Sequence, residues 1–156
     1  MELGGSVARW IRGLLSGGRP EALDRTRTDL VVVVSGFDDV ESCSSALERG
    51  AAGTPGWTAD AEAVLRHHLQ VPPAAVGEVI AIAAQDGYVP VADPGDDTDD
   101  AGDAGTTDGT VRLRLERVQV LDALHCSQER SRMAGLAQRH GGTAIGWEGL
   151  QPPVPE

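Results

Sequence analysis

Lysine is absent from the 156 residues: all 13 positive charges are arginine. With so much Ala, Gly and Asp, this reads as the codon bias of a GC-rich genome, not as mechanism. Aromatic residues are almost as scarce, limited to Phe37, Tyr88, Trp10, Trp57 and Trp147. A core must therefore be built from Val, Leu and Ala, which an apolar fraction of 40% permits. Two cysteines, Cys43 and Cys126, are too few and too far apart for a disulfide framework. They read as free thiols in a reducing compartment. No stretch approaches the ~18–20 apolar residues of a membrane span. The segment Val7 to Leu15 is interrupted by Arg9 and Arg12 and lacks the apolar core of a signal peptide. A cytoplasmic location is the expectation.

Positive charge is also short overall. The net charge of -11 opposes a general role in gripping nucleic acid or an anionic membrane, since both demand a positive surface. It suits a protein that docks on a basic partner.

Five apolar residues, Val7, Trp10, Ile11, Leu14 and Leu15, recur at helical spacing and predict a short amphipathic helix near the start. Leu30 to Val34 is a β-branched run bounded by Gly36 and reads as a buried strand. Asp38, Asp39 or Ser42 can cap a helix that runs to about Arg49 and ends at Gly50. Gly53-Thr54-Pro55-Gly56 is a turn cluster, and Trp57 is expected to pack where this part meets the rest.

From Glu62 to Val71 the chain alternates, with Ala63, Leu65, His67, Leu69 and Val71 on one face. Val64, Arg66, His68 and Gln70 take the other face. Pro72-Pro73 stops this strand, and a helix follows from Ala74 to Asp86, burying Val76, Val79, Ile80 and Ala83. Gly87 fits its C-terminal cap. Tyr88 to Val91 begins a short strand that Pro90 confines to a sheet edge. Asp93 to Gly109 is an acidic, glycine-rich loop. Thr110 to Val120 alternates again, but the phase slips at Arg117, which predicts a bulge or strand end there. Asp122 or Ser127 can cap a last helix to about His140, with Leu124, Met133, Leu136 and Ala137 as its apolar stripe. Gly141-Gly142 ends it, and Thr143 to Trp147 is a final short strand.

The order from residue 62 onward is β-α-β-β-α-β, the split βαβ or ferredoxin-like pattern. The expected fold class is α+β: a ferredoxin-like sandwich with an N-terminal strand–helix extension. The expected divisions are 1–57 for that extension, 58–151 for the domain and 152–156 for a tail.

Leu65-Arg66-His67-His68-Leu69, then a helix, then Asp86-Gly87-Tyr88-Val89-Pro90-Val91 resembles the first half of the regulator of ribonuclease activity B family. Asp108-Gly109-Thr110-Val111 after an acidic loop and Gly146-Trp147 after a helix resemble its second half. The resemblance covers about residues 58–151; residues 1–57 have no counterpart, and the loop is longer than the family's. It implies a soluble, acidic, ferredoxin-like protein that binds a ribonuclease E-type enzyme and lowers RNA cleavage without catalysis of its own.

The residues offer little reactive chemistry. His67 and His68, adjacent on a strand, face opposite ways and do not share a metal. His125, Cys126 and His140 lack zinc spacing. Asp97, Asp99, Gly102 and Asp108 approach a calcium loop, but Ala101 and Asp108 stand where the fifth and twelfth ligands belong. There is no nucleophile elbow, phosphate loop or dinucleotide fingerprint, and Val34-Ser35-Gly36-Phe37 reads as a turn. No catalytic residue, metal ligand or cofactor is expected.

The second face of the sheet carries Arg66, His68, Arg112 and Arg114. Three readings stand open: RNA contact, for which the two strands lack stacking aromatics; a solvated face paired with Glu116 and Glu62; or a face covered by the N-terminal segment. The leading expectation is a non-catalytic regulatory protein whose acidic loop, with Asp96, Asp97, Asp99, Asp100 and Asp103, docks on a basic protein partner. The alternative is a ferredoxin-like small-molecule sensor or a homodimerisation module.

Overall fold

A computed structural model describes residues 22–92 and 109–153. The chain is α+β, with a five-stranded antiparallel sheet and three helices. In chain order these are β1 (Val31–Gly36), α1 (Cys43–Ala51), β2 (Glu62–Val71), α2 (Val76–Gln85), β3 (Val89–Val91), β4 (Val111–Val120), α3 (Ala123–Arg139) and β5 (Thr143–Gln151). The strand order is β1-β5-β2-β4-β3, so β2 lies at the centre and β3 at an edge. The edge position of β3 is the one Pro90 requires, since it has no N–H for a second neighbour. The predicted helix at residues 6–15 and the acidic loop lie outside the described residues.

The helices cover the odd-numbered face of β2. Toward one end, Ala63 and Leu65 pack with Val34 of β1, Cys43, Ala46 and Leu47 of α1, Cys126 of α3 and Trp147 of β5. Toward the other, Leu69 and Val71 pack with Val79 and Ala83 of α2, Leu113 and Leu115 of β4, and Met133 and Leu136 of α3. Each Val, Leu or Met among them, fully buried, contributes on the order of 1.5–3 kcal/mol. Trp57 packs against the first cluster, where the N-terminal part meets the rest.

β1 pairs with β5 and extends the same sheet. A bulge between Val32 and Val34 puts one extra residue into β1, so Val33 and Val34 are both buried. This is how an unbroken β-branched run fits a strand with one neighbour.

Local chemistry sets the helix ends. Ser42 caps α1 through its side chain, which accepts from the Ser45 N–H at 3.2 Å. Gly50 lies inside α1 and is buried, so the helix runs past its expected stop. Asp122 caps α3 by accepting from the His125 N–H at 2.8 Å. α2 begins later than predicted, because Pro73–Ala75 forms a 3₁₀ turn first.

Further expectations fail: Ser35 and Gly36 continue β1, so no turn begins at Val34. β4 has no bulge at Arg117: it pairs with β2 in unbroken register from Val111 to Val120. The apparent slip is a buried-side arginine in a regular strand. Leu124 is exposed, since the buried stripe of α3 runs through Cys126, Glu129, Met133, Leu136 and Ala137. Leu124 stands five residues from Glu129, well off that stripe at 3.6 residues per turn. Finally, β5 continues to Gln151 instead of stopping at Trp147. Within it, Gly146 admits the Phe37 ring, which a side chain there would strike. Gln151 is buried, its Oε1 accepting from the Thr58 N–H at 2.9 Å and its Nε2 donating to the Thr58 carbonyl at 3.0 Å. Among the described residues no helix is long and apolar enough to cross a membrane.

Gly142 follows α3 and lies against the backbone of β2, where an added methyl group would collide with the Gln70 carbonyl. Gly77, in α2, faces open space. Gly142→Ala should therefore lose about 1–3 kcal/mol in urea unfolding. Gly77→Ala should be neutral or gain up to about 1 kcal/mol from helix propensity. Equal behaviour of the two variants would contradict this packing.

Candidate functional site

The alternation of β2 sends His67 and His68 to opposite faces, and each joins a separate polar array. On the helix side, His67 is 3% exposed and its Nε2 lies 3.4 Å from the Tyr88 hydroxyl oxygen. That hydroxyl donates to Glu129 Oε2 at 2.7 Å. Glu129 in turn meets Arg117 at 3.2 Å and Arg132 at 3.8 Å. The Arg117 guanidinium carbon sits 4.6 Å above the centre of the Tyr88 ring, a cation–π geometry. Arg117 Nη1 also donates to the Asp86 carbonyl at 2.8 Å, and Nε to Gln119 Oε1 at 3.0 Å. Arg132 pairs with the Asp86 carboxylate at 2.9 Å. Two arginines thus face two carboxylates, and the buried Glu129 is matched by both cations and a hydroxyl. Such matching is what keeps a buried charge tolerable.

Burial fixes the protonation of this array. Desolvation, helped by Arg117 and His68, lowers the His67 pKa to about 3, so the ring is neutral near pH 7. Desolvation and the bond to Glu129 push the Tyr88 hydroxyl far above its usual value. Neither group titrates near neutrality, and general acid–base work needs a pKa near the working pH.

On the opposite face, Arg66 meets Glu116 at 3.3 Å and Glu148 at 3.7 Å. His68 Nε2 makes a short contact with Glu148 Oε1. That bond, ahead of Arg66 and Arg114, holds the Glu148 carboxyl below its ordinary range despite desolvation. The Phe37 ring comes from the connection after β1 and rests 5.4 Å from the His68 ring. Of the reading of a solvated face paired with Glu116 and Glu62, the Glu116 pairing holds, while the solvated face and the Glu62 pairing do not. His68, Arg114 and Glu116 are buried, and the partners of Arg66 are Glu116 and Glu148.

Cys43 and Cys126 are free and buried side by side. Desolvation and the neighbouring Cys43 push the Cys126 thiol up, the reverse of an activated nucleophile. His125 is exposed and bonds Asp122 at 2.6 Å, while His140 bonds the Leu136 carbonyl at 2.9 Å. Among the described residues no three His, Cys, Asp or Glu side chains converge as metal ligands. Asp96, Asp97, Asp99, Asp100 and Asp103 lie outside the described residues, as do Gly102, Asp108 and Ala101.

The sequence reading missed Arg117, Tyr88 and Glu129 as a unit. Two signals were present: an arginine in the apolar phase of β4, and a glutamate three residues after Cys126 and four before Met133. Beside the array, a cavity of about 290 Å³ opens between α3 and β5, with His67 and Trp147 in its wall. Comparison with protein families, characterised proteins and solved structures finds no match.

The buried neutral His67 makes stability depend on pH with a defined sign. The unfolded chain takes a proton near pH 6.5 and the folded chain near 3, so stability falls as pH drops through that window. The slope approaches about 1.4 kcal/mol per pH unit. His67→Gln should flatten the dependence between about pH 6 and 5, above the ordinary carboxylate range. Urea unfolding at the two pH values measures it. An unchanged slope would mean that His67 charges freely in the folded state.

Proposed function

We propose that this chain is a non-catalytic regulatory protein that docks on an RNA-processing enzyme of the ribonuclease E type. The observation that carries the reading is the strand order. Within β2-α2-β3-β4-α3-β5, the strands lie in the order β5-β2-β4-β3. That order supports a ferredoxin-like reading of the unit, the fold the family resemblance implies. Two further features support it. The polar groups of both arrays are spent largely on one another, and among the described residues no nucleophile stands beside a free base. The net charge of -11 favours encounter with a basic protein segment and disfavours the phosphate backbone. Fold alone does not fix function, so the partner rests on the resemblance.

A sensor or dimerisation role is the second reading, favoured by the cavity beside His67 and by the exposure of Phe37, Val40 and Leu124.

Affinity capture with the full chain at low ionic strength should recover a ribonuclease E-type enzyme. The purified chain should slow that enzyme's RNA cleavage. The complex should weaken as salt shortens the Debye length from ~30 Å at 0.01 M to ~10 Å at 0.1 M. Capture of no RNA-processing enzyme would overturn the assignment.

A further inference from the structure

We propose that the cleft between α3 and the N-terminal half of β5 binds a small monocarboxylate that carries an apolar group. This goes beyond protein docking and does not depend on which partner is bound.

The cleft exists because β1 is shorter than its neighbour. The ladder between them ends where Gly36 pairs with Trp147, yet β5 starts at Thr143. After Gly36 the chain turns to the opposite face, where Phe37 covers Gly146. Residues 143–146 therefore have no strand neighbour on that side among the described residues. A bare strand edge presents unpaired backbone donors and acceptors. Helix α3 passes alongside, and the space between measures about 290 Å³. That is near the lower end of the ~300–1,000 Å³ typical of small-molecule pockets.

The wall chemistry selects the ligand. Among the described residues Arg130 is its one cation. Its guanidinium donates to the carbonyls of Glu41 and Asp39, each at 2.7 Å, and reaches that of Asp38 at 3.5 Å. Carbonyls position the group without cancelling its charge, and five N–H donors outnumber three acceptors. The nearest carboxylate, that of Asp39, is 3.9 Å away on a side chain 94% exposed, so water screens it. Among the described residues Asp39 is the one acidic residue of the wall, and it counts against an anion, as does the Glu41 carboxylate, which also feels the Arg130 charge. Trp147 is 1% exposed, and its indole Nε1 is buried with no acceptor. That nitrogen lies against Gly36, itself part of the wall. An unmet donor at this depth costs about 1–3 kcal/mol, which an incoming acceptor would relieve. His67 forms part of the lining without contributing charge. Met133 and Ala144 supply apolar surface. One cation, spare donors and an apolar wall fit a planar carboxylate on a hydrophobic body. A phosphate monoester, with about two negative charges, would lack a second cation.

The probes are benzoate and its neutral analogue benzamide, titrated into the full chain with ¹H–¹⁵N NMR detection. Benzoate should shift the Trp147 indole N–H and the Gly146 amide saturably, and benzamide should bind at least tenfold more weakly. Arg130→Gln should weaken benzoate about tenfold. Ala134→Phe, which fills the cleft from α3, should abolish the shifts while the β2 and β4 amides keep their folded positions. Absence of saturable shifts, equal affinity for benzamide, or unchanged benzoate affinity in a folded variant would overturn the site. Capture of a ribonuclease is a separate measurement, so either reading can fail alone.

Discussion

The register of β2 against β4 is the constraint on which the other features depend. These two central strands carry charge on both faces. Arg66 meets Glu116 on one side, and Arg117 reaches Glu129 of α3 on the other. A slip of one residue would exchange the faces. Arg117 would leave Glu129, Glu116 would turn toward the helices, and Leu113 and Leu115 would turn away from them. Apolar packing and ion pairing therefore specify one register together. The carboxylates of Glu116 and Glu129 are nearly inaccessible, and a buried charge stripped of its partner costs about 3–5 kcal/mol.

Much of this was legible in the sequence. The alternation of Glu62 to Val71 gave the strand and the opposed faces of His67 and His68. Pro90 gave the edge, and Ser42 and Asp122 gave the caps. What could not be read shares one physical origin: periodicity sorts residues as apolar or polar, and this core breaks that rule. Arg117 looked like a phase error because its partner Glu129 is twelve residues away, on another element. Leu124 looked like core because it is apolar, although Glu129 holds the buried stripe. The end of β5 was placed too early, at Trp147, because the bonds that hold Gln151 run to Thr58, a contact distant in sequence. The candidate site was the least legible part. His67 and Trp147 were noted separately; the β2–β5 ladder pairs them directly, and the shortness of β1 leaves open the cavity whose wall they share.

Function follows from how these groups are used up. The helix-side array binds its own members and keeps His67 neutral. What remains for recognition is the acidic surface and the cleft beside α3. Arg130 joins the 38–41 connection to α3 and also lines that cleft. Occupancy there would bear on the position of the segment that carries Phe37 onto the opposite face.

The most direct measurement is a double-mutant cycle on Arg117→Met and Glu129→Gln, read by urea unfolding. If the pair holds the register, the double variant will be less destabilised than the sum of the single variants, with a coupling above about 1 kcal/mol. Additivity within about 0.3–0.5 kcal/mol would contradict the account, since it would mean that the two side chains act independently.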